Sequence, residues 1–354
     1  MDGPAAMLMP RWFLWLVAAA IVMAALHVGR SFLIPVAIAL LMFTLLSALI
    51  GRITRISIAG WSVPRPVATV VGLAVVAYGL FLIASILTSQ IEAVVAASPR
   101  YISRFQEMLN QTAELFGRDV VADLQRMVAE INITARLAGL VGSAGAILAI
   151  ISLIVLYMGF MLVERPRFHV KLARLFPDPG RAERIETVIL SISDSIQRYF
   201  SVKLFTSALT AGTAYLVMRP MGLDFAETWA LLAFFLNFIP NIGSVIATIL
   251  PALVALVQFD SFGPFLVIAL GVSALQFTIG SFIEPALMGR SLNLSPLVIL
   301  LSLTFWASVW GIVGMFLSVP IMVIVMIVCS HIPAWRPLAV LLSKDGNIPD
   351  SARQ

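Results

Sequence analysis

The sequence predicts an all-α, polytopic membrane protein of about eight transmembrane segments, with broken or re-entrant helical hairpins in its C-terminal half. Three observations predict it. Of 354 residues, 60% are hydrophobic and only 12% are charged, whereas soluble domains carry about 25% charged residues. The mean hydropathy is +1.02. Long apolar runs recur from Trp12 to Ser330, and two of them are too long for one crossing and carry glycine and proline in the middle.

The first span is Trp12 to Val28. Arg11 before it gives the start the look of a signal peptide, but no small-residue cleavage site follows and further spans do, so it is read as a retained helix. Ser31 to Ile50 is the second span, and Pro66 to Thr88 the third. Residues 1–89 thus form a unit of three helices. Residues 90–140 change character, with six acidic and five basic residues and no long apolar run. Apolar positions there recur at helical spacing (Ile102, Phe105, Met108, Leu109, then Val120, Val121, Leu124), with breaks expected at Pro99 and Gly117. This amphipathic section is expected to pack on its own membrane domain, with a subunit contact or lid as the alternative.

The fourth span, 141–163, opens on Gly139, Gly142 and Gly145, a spacing that permits close helix approach. Residues 164–200 are polar again. Pro177-Asp178-Pro179-Gly180 reads as a turn, and Ile185, Val188, Ile189, Ile192, Ile196 and Tyr199 form one helical face. A helix lying on the membrane surface and leading into a fifth span, Phe200 to Met218, is expected. Residues 201–332 form the C-terminal core and 333–354 a tail.

Within that core, Trp229 to Val257 would make a straight helix of about 42 Å, against a hydrocarbon thickness of about 30 Å. Its middle, Asn237-Phe238-Ile239-Pro240-Asn241-Ile242-Gly243-Ser244, is poor helix. Broken backbone survives in a membrane only where protein or a watery cavity satisfies it. The stretch is therefore read as an interrupted or re-entrant hairpin lining a substrate path through Asn237, Pro240, Asn241, Gly243 and Ser244, a kinked spanning helix being the alternative. Phe262 to Phe282 is a further span with Gln276 in its middle. Pro296 to Ser330 would run about 52 Å as one helix. Gly311, Gly314 and Pro320 offer break points in it, and the two overlong stretches share an order of parts that suggests an internal repeat. Pro251, Pro285, Gly289, Pro296 and Pro320 are the expected hinges or helix breaks.

With both termini cytoplasmic and eight crossings, fourteen basic residues fall inside and eight outside, which supports that orientation. The net charge of +5 is then a loop property that meets lipid headgroups, and no nucleic-acid partner is expected. The single cysteine, Cys329, excludes an internal disulfide and a multi-cysteine metal site. His27, His169 and His331 have no ligand spacing, and there is no HExxH, GxxxxGK[ST] or GxSxG. No catalytic residue, metal or cofactor is expected, and the missing nucleotide motif argues against an ATP-driven pump. A secondary transporter or facilitator remains.

Ionisable residues near the later spans then carry the most information. Glu284, between a span and Pro285, can take up a proton or cation, or pair with Arg290 at the interface. Lys203 is expected to snorkel to the cytoplasmic interface. Gln276 is expected to bond a neighbouring helix.

The segments NFIPNIGSVIATILPALVAL, EPALMGRSLNLSPLVILLSL and WGIVGMFLSVPIMVI, with the junction SDSIQRYFSVKLFTSALTAG, resemble the autoinducer-2 exporter family of bacterial permeases. The resemblance covers nearly the whole chain in span order. It implies about eight transmembrane segments, a homo-oligomer in the bacterial inner membrane, and export of autoinducer-2 or exchange of sodium or lithium for protons. The family's motif positions fall on Asn237, Pro240, Asn241, Gly243, Pro251, Glu284, Pro285, Gly289 and Pro296. The expected solute is thus a small polar, autoinducer-2-like molecule, with a monovalent cation/proton antiporter and a non-transporting membrane scaffold as alternatives.

Overall fold

The computed structural model describes residues 10–55, 57–58, 61–116, 144–176, 178–289 and 293–347. The described part is helical apart from a two-residue antiparallel ladder, Ser57–Ile58 with Trp61–Ser62, and a lone bridge between Leu294 and Ser343. The helices are α1 (Arg11–Val28), α2 (Arg30–Ile53), α3 (Arg65–Phe116), α4 (Ala144–Leu175), α5 (Pro179–Met218), α6 (Ala226–Leu236), α7 (Ile242–Gln258), α8 (Phe262–Thr278), α9 (Glu284–Met288), α10 (Pro296–His331) and α11 (Arg336–Leu342). Among the described residues, five helical stretches are long and apolar enough to cross a membrane, and α1, α6 and α7 are shorter apolar helices.

Three apolar cores organise them. One joins α2, α3 and α4 through Ala39, Leu46, Ala68, Ile154 and Met158. A second joins α5 to α6, α7 and α8 through Met218, Ala226, Ala252, Ala255, Ile268 and Val272. The third wraps α10 around α5, with Tyr199, Phe200, Leu317 and Val323 inside it. Helix α5 contributes to both C-terminal cores and is their shared axis.

Several expected boundaries fall inside continuous helices. The third span and the amphipathic section as far as Phe116 form one helix, and Pro99 does not break it. A proline at this position leaves the carbonyl four residues back without its N–H partner. Here that carbonyl belongs to Val95, and the Ser98 hydroxyl donates to it at 2.8 Å. Gly117 and the stripe from Val120 to Leu124 lie outside the described residues, as do Gly139 and Gly142. Among the described residues, nothing stands within 4 Å of where a Gly145 Cβ would lie. Pro177 is also outside. Asp178 caps α5, its carboxylate accepting from Gly180 N–H at 3.1 Å, and Pro179 opens the helix instead of ending a turn. Helix α5 then runs unbroken through Phe200 for 40 residues. The expected surface helix and the fifth span are thus one continuous helix. Spans one and two are separated by Gly29 alone.

Both overlong stretches fold back. Between α6 and α7 the chain turns in five residues. In α10 the helix breaks at Gly311, whose φ of 64° and ψ of −141° are open to glycine alone. The Ser302 hydroxyl donates to Ser318 O at 3.2 Å, although the two residues would stand about 24 Å apart along a straight helix. Helix α10 is therefore a hairpin of two arms, 296–310 and 312–331.

Candidate functional site

The first hairpin turns by a strained route. Asn241 has φ 60° and ψ −53°, and Ile242 N–H donates to Pro240 O at 2.6 Å. This is a γ-turn with positive φ at its centre, a rare and strained conformation. Gly243 follows, pressed so closely on α6 that a Cβ there would lie 1.7 Å from Leu236 O. Only glycine fits. The tight turn leaves the Asn237 carbonyl free to face α5.

What it meets there is a charge. On α5, Lys203, Thr206, Ser207 and Thr210 follow at i, i+3, i+4 and i+7, so they share one face, and all four are buried. Lys203 Nζ donates to Asn237 O at 3.0 Å and pairs with Glu284 Oε1 at 2.6 Å. The side chains of the pair are 6% and 19% exposed. Asn237 Nδ2 donates to Ser207 Oγ at 3.0 Å, and the Thr206 hydroxyl stands 3.5 Å from the second Glu284 oxygen. One ammonium thus ties the hairpin turn to the carboxylate. Lys203 does not reach an interface as expected: its ammonium is held inward by two acceptors. Glu284 takes Lys203 as its partner, and Arg290, the expected one, lies outside the described residues.

Glu284 is presented by an unusual turn. Between α8 and α9, residues Ile279–Ile283 form a π-turn, and Glu284 N–H bonds to Ile279 O. Pro285 comes next. A wider turn accommodates the clash that a proline ring makes with the preceding carbonyls, and such turns occur often at functional sites.

These elements line an open cavity of about 560 Å³. The hairpin turn lines it with Asn237, Pro240, Asn241 and Ser244, α7 with Thr248, α8 and the π-turn with Ser273, Gln276 and Ser281, and the ion pair closes one side. Gln276 Nε2 donates to Thr248 Oγ1 at 3.0 Å, so this glutamine does bond the neighbouring helix. Among the described residues its Oε1 is buried without a hydrogen-bond partner, as is Thr210 Oγ1. The wall therefore offers an unused acceptor, amide and hydroxyl groups, and a charge pair of zero net charge.

The structure brings Asn237, Pro240, Asn241, Ser244, Gln276 and Glu284 to this one cavity. Gly243 is buried behind the turn. Gly311 and Gly314 belong to the second hairpin and do not line the cavity. Pro251 and Pro320 sit within helices, Pro285 follows the π-turn, Gly289 ends α9 at φ 55°, and Pro296 starts α10 instead of breaking one. Sequence reasoning missed Lys203 as a partner, and missed Thr206, Ser207 and Thr210 altogether. The polar stripe at helical spacing within a span was the available signal.

Residues 15–334 match the profile of the AI-2E family transporters. The chain belongs to this family. It is 31% identical over 327 residues to the AI-2 transport protein TqsA of Escherichia coli (strain K12), covering 91% of this chain and 92% of that protein. It is 27% identical to YhhT of the same strain over 91% of each chain, and 37% identical to a Haemophilus influenzae protein over 56% of each. The last two carry names that suggest transport without naming a solute. Family, relatives and apolar helices together make this a multi-pass bacterial membrane permease.

Proposed function

We propose that the protein is a secondary exporter of a small polar, autoinducer-2-like solute, and that the solute's route runs through the cavity between α5, the first hairpin and α8. We place it in the inner membrane as a homo-oligomer with both termini cytoplasmic. The observation that carries the reading is the turn at 237–243, with its polar groups at the cavity wall and its carbonyl held by a buried lysine. Discontinuous helices are where transporters bind solutes, because freed main-chain groups and helix ends supply ligands there. The wall has amide and hydroxyl groups and no net charge, which suits a neutral, hydroxyl-bearing molecule. The solute name TqsA carries supports autoinducer-2 as the first to try.

The test is flux of autoinducer-2 in liposomes holding the purified protein. Substituting Asn241 and Gly243 together should abolish flux while the protein still enters the membrane. Wild-type flux from that variant rejects the route.

One observation favours a second reading, a monovalent cation/proton antiporter. Lys203 Nζ already occupies a position among Glu284, the Asn237 carbonyl and, through Glu284, the Thr206 hydroxyl. Oxygen donors that hold an ammonium can hold a sodium ion. A sodium-triggered pH change in dye-loaded vesicles that vanishes in Glu284→Gln supports it. No pH change with intact autoinducer-2 flux rejects it. A membrane scaffold predicts neither signal.

A further inference from the structure

A second cavity, of about 450 Å³, shares no residue with the first. Its wall is the last turns of α2 (Ser47, Gly51, Thr54), the start of α3 (Pro64, Arg65) and Arg165 of α4. Three candidate spans end or begin at these residues, Arg30–Ile53, the one starting at Arg65, and Gly145–Phe168. The cavity therefore lies at the edge of the apolar zone, at headgroup level.

The guanidinium-bearing side chains of Arg65 and Arg165 both line it. Among the described residues neither forms an ion pair. The sequence explains why. No aspartate or glutamate occurs between Asp2 and Glu92, so α2 and the membrane part of α3 have none to offer. Glu164, adjacent to Arg165 in the chain, is engaged by Lys171. Among the described residues, two like charges are thus held at one cavity with no carboxylate paired to either. The helix ends do not supply one: α2 ends there in carbonyls and α3 begins there in N–H groups, and these partial charges offset. On the same wall the Ser47 hydroxyl is buried without a hydrogen-bond partner among the described residues. The Thr54 hydroxyl is already used, donating to Gly51 O at 3.1 Å.

We infer that this cavity binds a phosphate ester, with Arg65 and Arg165 gripping the phosphate oxygens and Ser47 donating a further hydrogen bond. Guanidinium forks match phosphate oxygens in pairs, and basic pockets between helices at the cytoplasmic edge of a membrane hold anionic headgroups. The same chemistry has two sources, an anionic phospholipid or a soluble phosphate. The site is separate from the transport route, and the inference stands or falls independently of it.

Native mass spectrometry of the full-length protein in detergent reads the inference directly. The probes are phosphatidylglycerol, phosphatidylcholine and inorganic phosphate. Wild type should retain phosphatidylglycerol over phosphatidylcholine. Arg65→Gln/Arg165→Gln should lose that retention about thirtyfold, taking roughly 1 kcal/mol for each arginine at the surface. Arg167→Gln, two residues beyond Arg165 on the same helix and not part of the cavity wall, should retain it. Arg165→Lys should fall between, because the charge stays and the fork is lost. Displacement of the lipid by millimolar phosphate would assign the site to soluble phosphate, and persistence would assign it to the lipid. Equal retention by wild type and the double variant, or an equal loss in Arg167→Gln, would overturn the inference. Size-exclusion profiles separate a misfolded variant from a binding defect, and the single Arg165→Gln variant, altered at an exposed side chain, serves if the double one aggregates.

Discussion

The two hairpins solve one backbone problem in the same way and then differ in everything around it. In each, a positive-φ residue turns the chain, Asn241 in the first and Gly311 in the second. In each, a glycine two or three residues later lies against the carbonyl of the opposite arm. A Cβ on Gly243 would stand 1.7 Å from Leu236 O, and one on Gly314 would stand 2.0 Å from Trp306 O. The internal repeat suggested by the sequence is thus a repeat of turn geometry. The surroundings diverge. The first turn faces a lysine, a glutamate and a cavity. The second is aromatic: Trp306 and Trp310 pack at a tilt of 48° with centroids 4.8 Å apart, and the Trp310 indole donates to Leu26 O at 3.0 Å, one turn before the break at Gly29. Phe238 of the first turn and Phe316 of the second hairpin touch, with ring centroids 4.9 Å apart. The same fold-back can therefore serve a polar route or a packed anchor, and the side chains around it decide which.

The largest effects should come from the charge that only the first hairpin has. Lys203→Met leaves the half-buried Glu284 without its cation and should cost up to about 3–5 kcal/mol, the figure for breaking a fully buried pair. Lys203→Met/Glu284→Gln should recover most of that stability, read as thermal unfolding in detergent, while flux stays lost. Recovery of both would reduce the pair to a structural role.

Next come the glycines, where the comparison predicts likeness. Gly243→Ala and Gly314→Ala should each cost about 3 kcal/mol or more, because backbone must move to admit the methyl group. A tolerant Gly314→Ala would show that the two turns are not equivalent.

Asn241→Gly should split stability from transport. Relief of the positive-φ strain should stabilise the protein by about 1 kcal/mol, while loss of the amide at the cavity wall should lower flux. The smallest effects belong to the ties that hold each hairpin. Ser302→Ala in the second should cost about 1 kcal/mol. Tyr101→Phe should cost about the same, since Tyr101 donates to Asp224 at 2.8 Å and so links α3 to the loop before the first hairpin. Neither should change flux by more than a few-fold.

The comparison also shows what the sequence could tell. Hairpins were legible because Trp229–Val257 and Pro296–Ser330 are too long to cross once and because glycine and proline mark their middles. The clustering of Asn237, Asn241 and Glu284 was legible only as a set of separate candidates. The Lys203–Glu284 pair was hidden because its members lie on helices that meet only in the folded core, and an isolated lysine near a span end looks like one that reaches for water. The continuity of α3 past Pro99 was hidden too, since it depends on a serine hydroxyl replacing one lost donor. The π-turn before Glu284 has no signature beyond the proline that follows it.

Thiol accessibility tests the central claim, that the first turn lines a watery route and the second does not. With Cys329→Ser as background, Ser244→Cys and Ser318→Cys would each be treated with a membrane-impermeant methanethiosulfonate during autoinducer-2 flux. The account predicts that the first is modified and loses flux in proportion, and that the second, fully buried between its hairpin arms, stays unreactive. Modification at Ser244→Cys with undiminished flux, or equal reactivity at both positions, would contradict it.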